Sequence, residues 1–268
     1  MENEKEKKVK PEKKSKKRDS DMNPFFSVLD EKTHSSIKEA YKTARTNIMF
    51  AISKTSGCKK IVFTSSIPGE GKTTSCINTA TVFAQTGANI LVIDADLRKP
   101  RVHKYANLGN GTGLSSILGG FCEMDDLEIS KCEYGFDVMT SGPIPPNPAE
   151  LLSLDKMVEL LDFFNDKYDY IFIDSPPVNL VSDPMIISKL VDGVLIVVRQ
   201  KYTSHDAVKK AISTLEFADA KIIGLFLNDA RDINSGYKYR YRFRYGYRYG
   251  YKYGYKYGYQ NHYGYHNS

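Results

Sequence analysis

The stretch from Ile61 to Ser75, IVFTSSIPGEGKTTS, constrains the fold of this 268-residue chain more than any other. Ile61, Val62 and Phe63 are typical of a short buried strand, and the Gly-Lys-Thr-Thr run after a Pro-Gly turn is typical of the start of a helix. A strand, a glycine-rich turn and a helix in this order form a phosphate-binding loop, where backbone N–H groups and the helix N-terminus attract negative charge. The sequence therefore predicts a nucleotide site here.

The residues of this loop are predicted to contact the nucleotide: Ser66, Pro68, Gly69, Glu70, Gly71, Lys72, Thr73 and Thr74. Lys72 is placed to reach the β- and γ-phosphates, and Thr73 to hold Mg²⁺. One position departs from the G-x-x-x-x-G-K-[ST] pattern, because Ser66 stands where the first glycine is expected. The alternative is a polar turn without a ligand, and the flanking strand and helix favour the phosphate loop.

Two further apolar runs end in carboxylates. Residues 88–96 close with Asp94 and Asp96, and residues 170–174 close with Asp174. The carboxyl ends of parallel strands lie beside a phosphate loop, so these side chains are expected near the nucleotide. Asp94 and Asp96 are predicted to bind Mg²⁺ or act as a base, and Asp174 is typical of the aspartate that orients the metal shell.

Apolar strands alternate with helices through the central region, which predicts an α/β fold with a mostly parallel sheet and helices on both faces. Further strands are expected at residues 136–139, 193–198 and 222–227, helices at residues 35–52, 73–86, 149–164 and 204–217, and a short helix within residues 111–120. Residues 141–148 contain four prolines, so an extended loop is predicted there.

Charge divides the chain into three parts. Residues 1–18 carry nine Lys/Arg against four Glu, residues 237–268 carry seven Lys/Arg and no acid, and the remainder has a net charge of −6. We therefore expect a disordered basic arm over residues 1–24, a P-loop domain over residues 25–230 and a disordered tail over residues 231–268. The acidic central region argues against a nucleic-acid-binding face, although either end has the charge to contact an anionic membrane.

The cysteines and the hydropathy pattern indicate a compartment. Cys58, Cys76, Cys122 and Cys132 form no C-x-x-C pair, which is typical of reduced thiols in a cytoplasmic protein. No run approaches 18 apolar residues, and no apolar segment follows the N-terminal lysines. Neither a transmembrane helix nor a signal peptide is therefore expected.

The C-terminal segment has a composition of its own, in which Tyr alternates with Lys, Arg and Gly and aliphatic residues are absent. It holds 13 of the 19 tyrosines of the chain: Tyr237, Tyr239, Tyr241, Tyr245, Tyr247, Tyr249, Tyr251, Tyr253, Tyr255, Tyr257, Tyr259, Tyr263 and Tyr265.

These stretches together resemble the bacterial tyrosine kinases of capsule and exopolysaccharide synthesis, in the form that lacks its own membrane anchor. The loop TSSIPGEGKTT, the motifs LVIDADLRKP and YIFIDSPPV, and the segment SGPIPPNPAELL follow in the order of that family. The resemblance covers residues 35–230, and the tyrosine-rich end completes the pattern. It implies an ATP-dependent protein-tyrosine kinase that phosphorylates its C-terminal tyrosines and regulates polysaccharide synthesis and export.

The resemblance also implies residue roles. Lys72 and Thr73 would hold ATP and Mg²⁺, and Asp174 would complete the metal shell with Asp94. Asp94 and Asp96 would serve Mg²⁺ and accept or orient the proton of the tyrosine hydroxyl, with either acid open as the base. The 13 tail tyrosines would be the phosphoacceptors.

The implied partners are a membrane adaptor or activator of the polysaccharide co-polymerase type, further copies of the chain in a homo-oligomer, protein tyrosine substrates and a counteracting phosphotyrosine phosphatase. The adaptor would recruit a cytoplasmic protein to the inner face of the cell membrane. No nucleic acid is expected.

Two positions depart from related proteins. The family often shows Glu-x-x-Arg-x-x-Arg for ring-like self-assembly, whereas this chain has Glu39, Lys42 and Arg45, and Lys lacks the planar fork of Arg. A weaker or differently built oligomer is therefore expected.

Partition-type ATPases carry a Lys where Ile67 stands, which disfavours a nucleotide-switched ATPase without kinase activity. A third hypothesis is a module whose Tyr/Arg tail binds single-stranded nucleic acid or polysaccharide.

Overall fold

The computed structural model describes residues 28–127 and 129–230. The arm predicted over residues 1–24 and the tail predicted over residues 231–268, with its 13 tyrosines, lie outside these described residues. The boundaries predicted for the three parts of the chain therefore stay predictions.

Helices and strands alternate along the described residues. In chain order they are α1 (Ser35–Ala51), β1 (Lys59–Ser65), α2 (Lys72–Ala84), β2 (Ile90–Asp94), α3 (Val102–Tyr105), α4 (Leu114–Leu118), β3 (Ser130–Lys131), β4 (Asp137–Met139), α5 (Pro148–Leu152), α6 (Asp155–Phe163), β5 (Tyr170–Asp174), α7 (Asp183–Ser188), β6 (Gly193–Arg199), α8 (His205–Phe217) and β7 (Ile222–Asn228). The predicted strands and most predicted helices are confirmed to within a few residues.

The seven strands form one sheet in the order β3-β4-β2-β5-β1-β6-β7. All neighbours are parallel except β3 and β4, which confirms the mostly parallel sheet. Asp94 at the end of β2 lies level with Asp174 at the end of β5, and Asp174 lies level with Phe63 of β1. The register therefore brings two acidic motifs to the edge of the sheet from which the phosphate loop leaves.

Each face of the sheet has its own apolar core. Phe63, Phe83 and Phe172 join β1, α2 and β5 through edge-to-face ring contacts on the face that α1 and α2 cover. Ile173 and Leu215 belong to the core of the opposite face. These two layers hold the central strands and fix the positions of the loops at their carboxyl ends.

The continuous helix predicted over residues 149–164 is wrong, because α5 ends at Leu152 and α6 begins at Asp155. Leu154 between them has extended backbone, with φ −70° and ψ 146°. Leu152 and Met157 are both completely buried, and in one straight helix positions five apart face about 140° away from each other. The break lets both side chains enter the same core.

None of the helices within the described residues has the length and apolar character needed to cross a bilayer.

Candidate active site

The phosphate loop depends on two glycines with positive φ. Gly69 has φ 85° and Gly71, which caps α2, has φ 86°. A Cβ atom added at Gly71 would lie 2.1 Å from Nδ2 of Asn228, so both the backbone conformation and the space favour glycine. The loop thus turns sharply into α2, as the sequence predicts.

Lys72 is the first residue of α2 and lies between two carboxylates. Its Nζ is 3.0 Å from Oδ2 of Asp96 and 3.5 Å from Oδ1 of Asp174, and its side chain is 13% exposed. Burial alone would lower the pKa of Lys72, but the charges of Asp174 and Asp96 outweigh it and raise that pKa. Lys72 is therefore a fixed cation at the carboxyl edge of the sheet.

Thr73 and Asp174 form the pair that fits a magnesium ion. The Thr73 hydroxyl donates to Oδ2 of Asp174 at 2.6 Å, and both side chains are buried. Magnesium usually takes one or two protein oxygens and completes its shell with phosphates and water. This hydroxyl and this carboxylate therefore fit an ion whose other ligands are nucleotide phosphates and water.

Asp94 is completely buried and accepts three backbone N–H groups from the segment that follows it. Oδ1 accepts from Asp96 at 3.2 Å, and Oδ2 accepts from Arg101 at 3.0 Å and Val102 at 2.9 Å. Burial first, and the neighbouring Asp174 second, raise the pKa of Asp94 to about 7. Burial also raises the pKa of Asp174. The site thus contains a carboxyl group whose charged form is disfavoured by burial and by a neighbouring carboxylate.

Asp96 links the same segment to Lys72. Its Oδ1 accepts the N–H of Lys99 at 3.0 Å, while Oδ2 faces Lys72. The structure therefore brings together the predicted Lys72, Thr73, Asp96 and Asp174 through direct contacts, with Asp94 at the end of β2. The division of metal binding and proton transfer among the three acids stays a prediction.

Arg98 and Asp183 are functional candidates that the sequence analysis missed. Nε and Nη2 of Arg98 each lie 2.9 Å from an oxygen of the buried Asp183 at the start of α7. The two residues are 85 positions apart, so only the arginine that follows the two acids offered a signal. This bidentate contact ties the Asp94–Asp96 segment to the helix beyond β5.

Glu70 contacts protein with its side chain. The carboxylate is 1% exposed, accepts the N–H of Ile67 at 2.7 Å, and accepts the hydroxyl of Thr203. Asn228 donates to the carbonyl of Glu70 at 2.8 Å. Glu70 therefore shapes the loop from within, and its predicted contact with a nucleotide would be made through its backbone.

The remaining predicted loop residues have different surroundings. The Ser66 hydroxyl is buried and has no hydrogen-bond partner among the described residues. Such a group raises the free energy of the folded state, and a polar ligand that bonds to it would remove this penalty. The Pro68 carbonyl accepts from the Tyr202 hydroxyl at 3.1 Å. The Thr74 hydroxyl shares a 2.6 Å hydrogen bond with the hydroxyl of Tyr105. Their contacts with a nucleotide stay predictions.

Comparison with known proteins agrees with this geometry. The family model ParA, described as a NUBPL iron-transfer P-loop NTPase, matches residues 58–235. Tyrosine-protein kinase YwqD of Bacillus subtilis (strain 168) is 43% identical over 190 residues, which cover 71% of this chain and 80% of that protein.

Two solved structures are similar as well. The chimerical protein CapA2B2 has a TM-score of 0.70 and 40% identity, with 75% of this chain and 88% of that chain covered. The kinase domain of Escherichia coli tyrosine kinase ETK has a TM-score of 0.71 and 34% identity, with 80% and 85% covered.

The fold and the loop define a P-loop NTPase of the ParA class. Within that class, the chain belongs to the bacterial tyrosine-kinase family of the capsule and exopolysaccharide type. These relatives favour the kinase over the partition-type ATPase.

Proposed function

We propose that this chain uses ATP and Mg²⁺ to phosphorylate tyrosines, first of all those of its own C-terminal segment, and thereby regulates capsule or exopolysaccharide synthesis and export. The observation that carries the proposal is the contact of Lys72 and Thr73 with Asp174 at the N-terminus of α2. Phosphoryl transfer mainly requires positioning and charge neutralisation, and this cluster supplies both.

The phosphate groups of ATP would lie on the backbone N–H groups of the loop and the first turn of α2. Lys72 would exchange part of its contact with Asp96 and Asp174 for the β- and γ-phosphates. Mg²⁺ would neutralise developing charge on these phosphates, and Thr73, Asp94 and Asp174 would hold it.

Deprotonation of the acceptor needs a carboxylate. A tyrosine hydroxyl has a pKa of about 10, so it is a poor nucleophile at neutral pH without a base. Asp94 has a pKa of about 7, which suits proton exchange at neutral pH. Asp96 contacts Lys72 directly and is the second candidate for this role.

The C-terminal segment is the proposed acceptor because of its composition and length. Its 32 residues from Tyr237 to Ser268 carry 13 tyrosines and have a contour length of about 110 Å. Such a length would let the segment reach the site of a neighbouring copy. The seven Lys/Arg of the segment favour its encounter with an acidic domain and bound ATP.

Assembly with other chains is part of the proposal. A membrane adaptor of the co-polymerase type, as the family resemblance implies, would recruit this chain to the inner face of the membrane. Further copies, other tyrosine-bearing proteins and an opposing phosphatase would complete the system.

Phosphotyrosine formation tests the proposal. The full chain is incubated with Mg-ATP, with and without a candidate adaptor, and both phosphotyrosine and released phosphate are measured. Phosphotyrosine that is lost in Lys72→Ala supports the kinase. ATP hydrolysis without phosphotyrosine under every condition would instead support the nucleotide-switched ATPase.

A further inference from the structure

Tyr202 lies in the short turn between β6 and α8 and differs from the other tyrosines of the described residues. Its side chain is 52% exposed, whereas the remaining five are buried or half-buried: Tyr41, Tyr105, Tyr134, Tyr168 and Tyr170. Within the described residues it is therefore the tyrosine that another protein reaches most readily.

The ring of Tyr202 rests against the phosphate loop. Its hydroxyl donates to the Pro68 carbonyl at 3.1 Å, and a Cβ atom added at Gly69 would lie 3.1 Å from the hydroxyl oxygen. The guanidinium of Arg199 lies 5.3 Å from the centre of the ring, and Arg199 is itself paired with Asp229 at 3.1 Å. A chemical change at the Tyr202 hydroxyl would therefore alter its contact with the loop backbone.

The sequence around Tyr202 matches that of the proposed acceptors. Lys201 precedes it, as lysines precede three tyrosines of the C-terminal segment: Tyr239, Tyr253 and Tyr257. Two other described tyrosines follow a lysine, but the Tyr105 hydroxyl is bound to Thr74 and the Tyr168 hydroxyl donates to Asp137 at 2.9 Å. Both are also less exposed, so Tyr202 combines the Lys-Tyr sequence with access.

We propose that Tyr202 is itself a phosphorylation site, modified by a second copy of this chain, and that its phosphate weakens nucleotide binding at the adjacent loop. The inference rests on the proposed kinase activity. In the transfer the Tyr202 oxygen bonds to the γ-phosphorus of ATP, the bond to the β–γ bridging oxygen breaks, ADP leaves, and the hydroxyl proton passes to a carboxylate or water.

The position of the hydroxyl favours transfer from a second copy. It contacts a carbonyl of its own loop, whereas the N–H groups of that loop receive the phosphates. In its own subunit the hydroxyl is held against the backbone of the loop, so a second copy is the proposed source of the phosphoryl group.

The phosphate would act through charge and through a lost hydrogen bond. A phosphotyrosine cannot donate to the Pro68 carbonyl, and it adds a charge of about −1.5 to −2 beside the place of the triphosphate. Because Tyr202 contacts the loop that would hold the phosphates, repulsion is expected to weaken nucleotide binding about tenfold or more. Arg199 offsets only part of this charge, because its Nε and Nη2 already donate to Asp229.

The test separates Tyr202 from the tail by mass spectrometry. The full chain is incubated with Mg-ATP, digested with trypsin, and the peptide from Tyr202 to Lys209 is examined for phosphate. We expect it to be phosphorylated in the wild type, and also in Lys72→Ala when this variant is mixed with wild type. A phosphorylated tail beside an unmodified Tyr202 would overturn the inference and leave the kinase intact, whereas no phosphotyrosine anywhere would remove both.

The functional consequence is measured by titrating a fluorescent ADP analogue before and after incubation with ATP and removal of nucleotides. Wild type should lose affinity about tenfold. Tyr202→Phe keeps the ring and the tail tyrosines, so it should retain its own starting affinity, and Tyr134→Phe, the matched control, should lose affinity like wild type. An equal loss in Tyr202→Phe and wild type would contradict the proposed effect on the loop.

Discussion

Charged residues meet at the carboxyl edge of the sheet and on the outer face of α1, and the two regions differ in burial. Lys72 and Asp174 are 13% and 0% exposed, whereas Lys42 and Glu39 of α1 are 47% and 67% exposed at a shorter distance of 2.7 Å. A buried charge depends on its partner because water cannot replace it, while an exposed pair contributes little. Burial, rather than distance, therefore separates the proposed site from an ordinary surface.

The three charged residues Glu39, Lys42 and Arg45 of α1 do not share one environment. Nη1 of Arg45 donates to the Val82 carbonyl of α2 at 2.7 Å, so this arginine fastens α1 to the domain. Lys42 instead pairs with Glu39 on the surface. The predicted loss of a bidentate contact at Lys42 thus concerns contacts with other chains, and the resulting weaker oligomer stays a prediction.

Removal of charge from the buried cluster should have the largest effect. Lys72→Ala, Asp94→Asn and Asp174→Asn are each expected to lower phosphotyrosine formation at least about a hundredfold, because each removes a charge that positions or neutralises phosphate and Mg²⁺. Initial rates with Mg-ATP measure this. Lys42→Ala serves as the exposed control, and Asp94→Asn with normal activity would contradict the assignment of that acid.

Arg98→Ala should have the next largest effect, and it acts on stability. It leaves the buried Asp183 without its bidentate partner, so the free energy of unfolding should fall by about 2–4 kcal/mol. Urea denaturation measures the change. Arg98→Lys keeps the positive charge but lacks the planar guanidinium, so it should recover only part of the lost free energy of unfolding. If Arg98→Ala unfolds at the urea concentration of the wild type, the contact with Asp183 does not stabilise the fold.

A pH dependence of stability should come from Asp94. Its pKa of about 7 in the folded chain exceeds the value of about 3.9 expected after unfolding, so between these values the folded state binds the extra proton. Stability without metal and nucleotide should therefore fall as pH rises from 4 to 7, by at most about 1.4 kcal/mol per pH unit for this group.

Asp94→Asn provides the comparison for this pH dependence, because its amide does not titrate. The difference between wild-type and Asp94→Asn melting temperatures should change steadily across that pH range. A difference that stays constant would show that Asp94 keeps an ordinary pKa.

The smallest effect is expected on α1. Lys42→Ala and Glu39→Ala should each change the free energy of unfolding by no more than about 0.5 kcal/mol, because the pair is exposed and lies within one helix. Denaturation of both variants at low and high salt measures this. A loss above 2 kcal/mol would mean that burial does not distinguish the two regions.

Local patterns were sufficient to predict the sheet, the phosphate loop and the three acids. Each strand, the loop and each acid lies within one short stretch of sequence, where apolar runs and glycines indicate the local structure directly. The contact of Arg98 with Asp183 could not be predicted, since it depends on the order of strands. The split at Leu154 also escaped prediction, because the apolar pattern of residues 149–164 is helical on both sides of it.

The loop contacts of Tyr202 and Glu70 were missed for the same reason. Tyr202 lies 134 positions from Pro68, and Thr203 lies 133 positions from Glu70. These residues meet only after β6 has paired with β1. Glu70 was grouped with the nucleotide contacts because it stands in the motif, and its burial is visible only in the folded chain.

Transfer of phosphate between two copies tests the central claim most directly. Wild-type chain is mixed with a size-tagged Lys72→Ala chain and γ-labelled Mg-ATP, in the presence of any adaptor found to stimulate activity, and tyrosine-bound label is measured on each chain. The buried cluster predicts label on the tagged chain only when the wild type is present, and none when the wild type is replaced by Asp174→Asn. Tyrosine-bound label that persists with Asp174→Asn would show that the buried cluster is not the phosphoryl-transfer site.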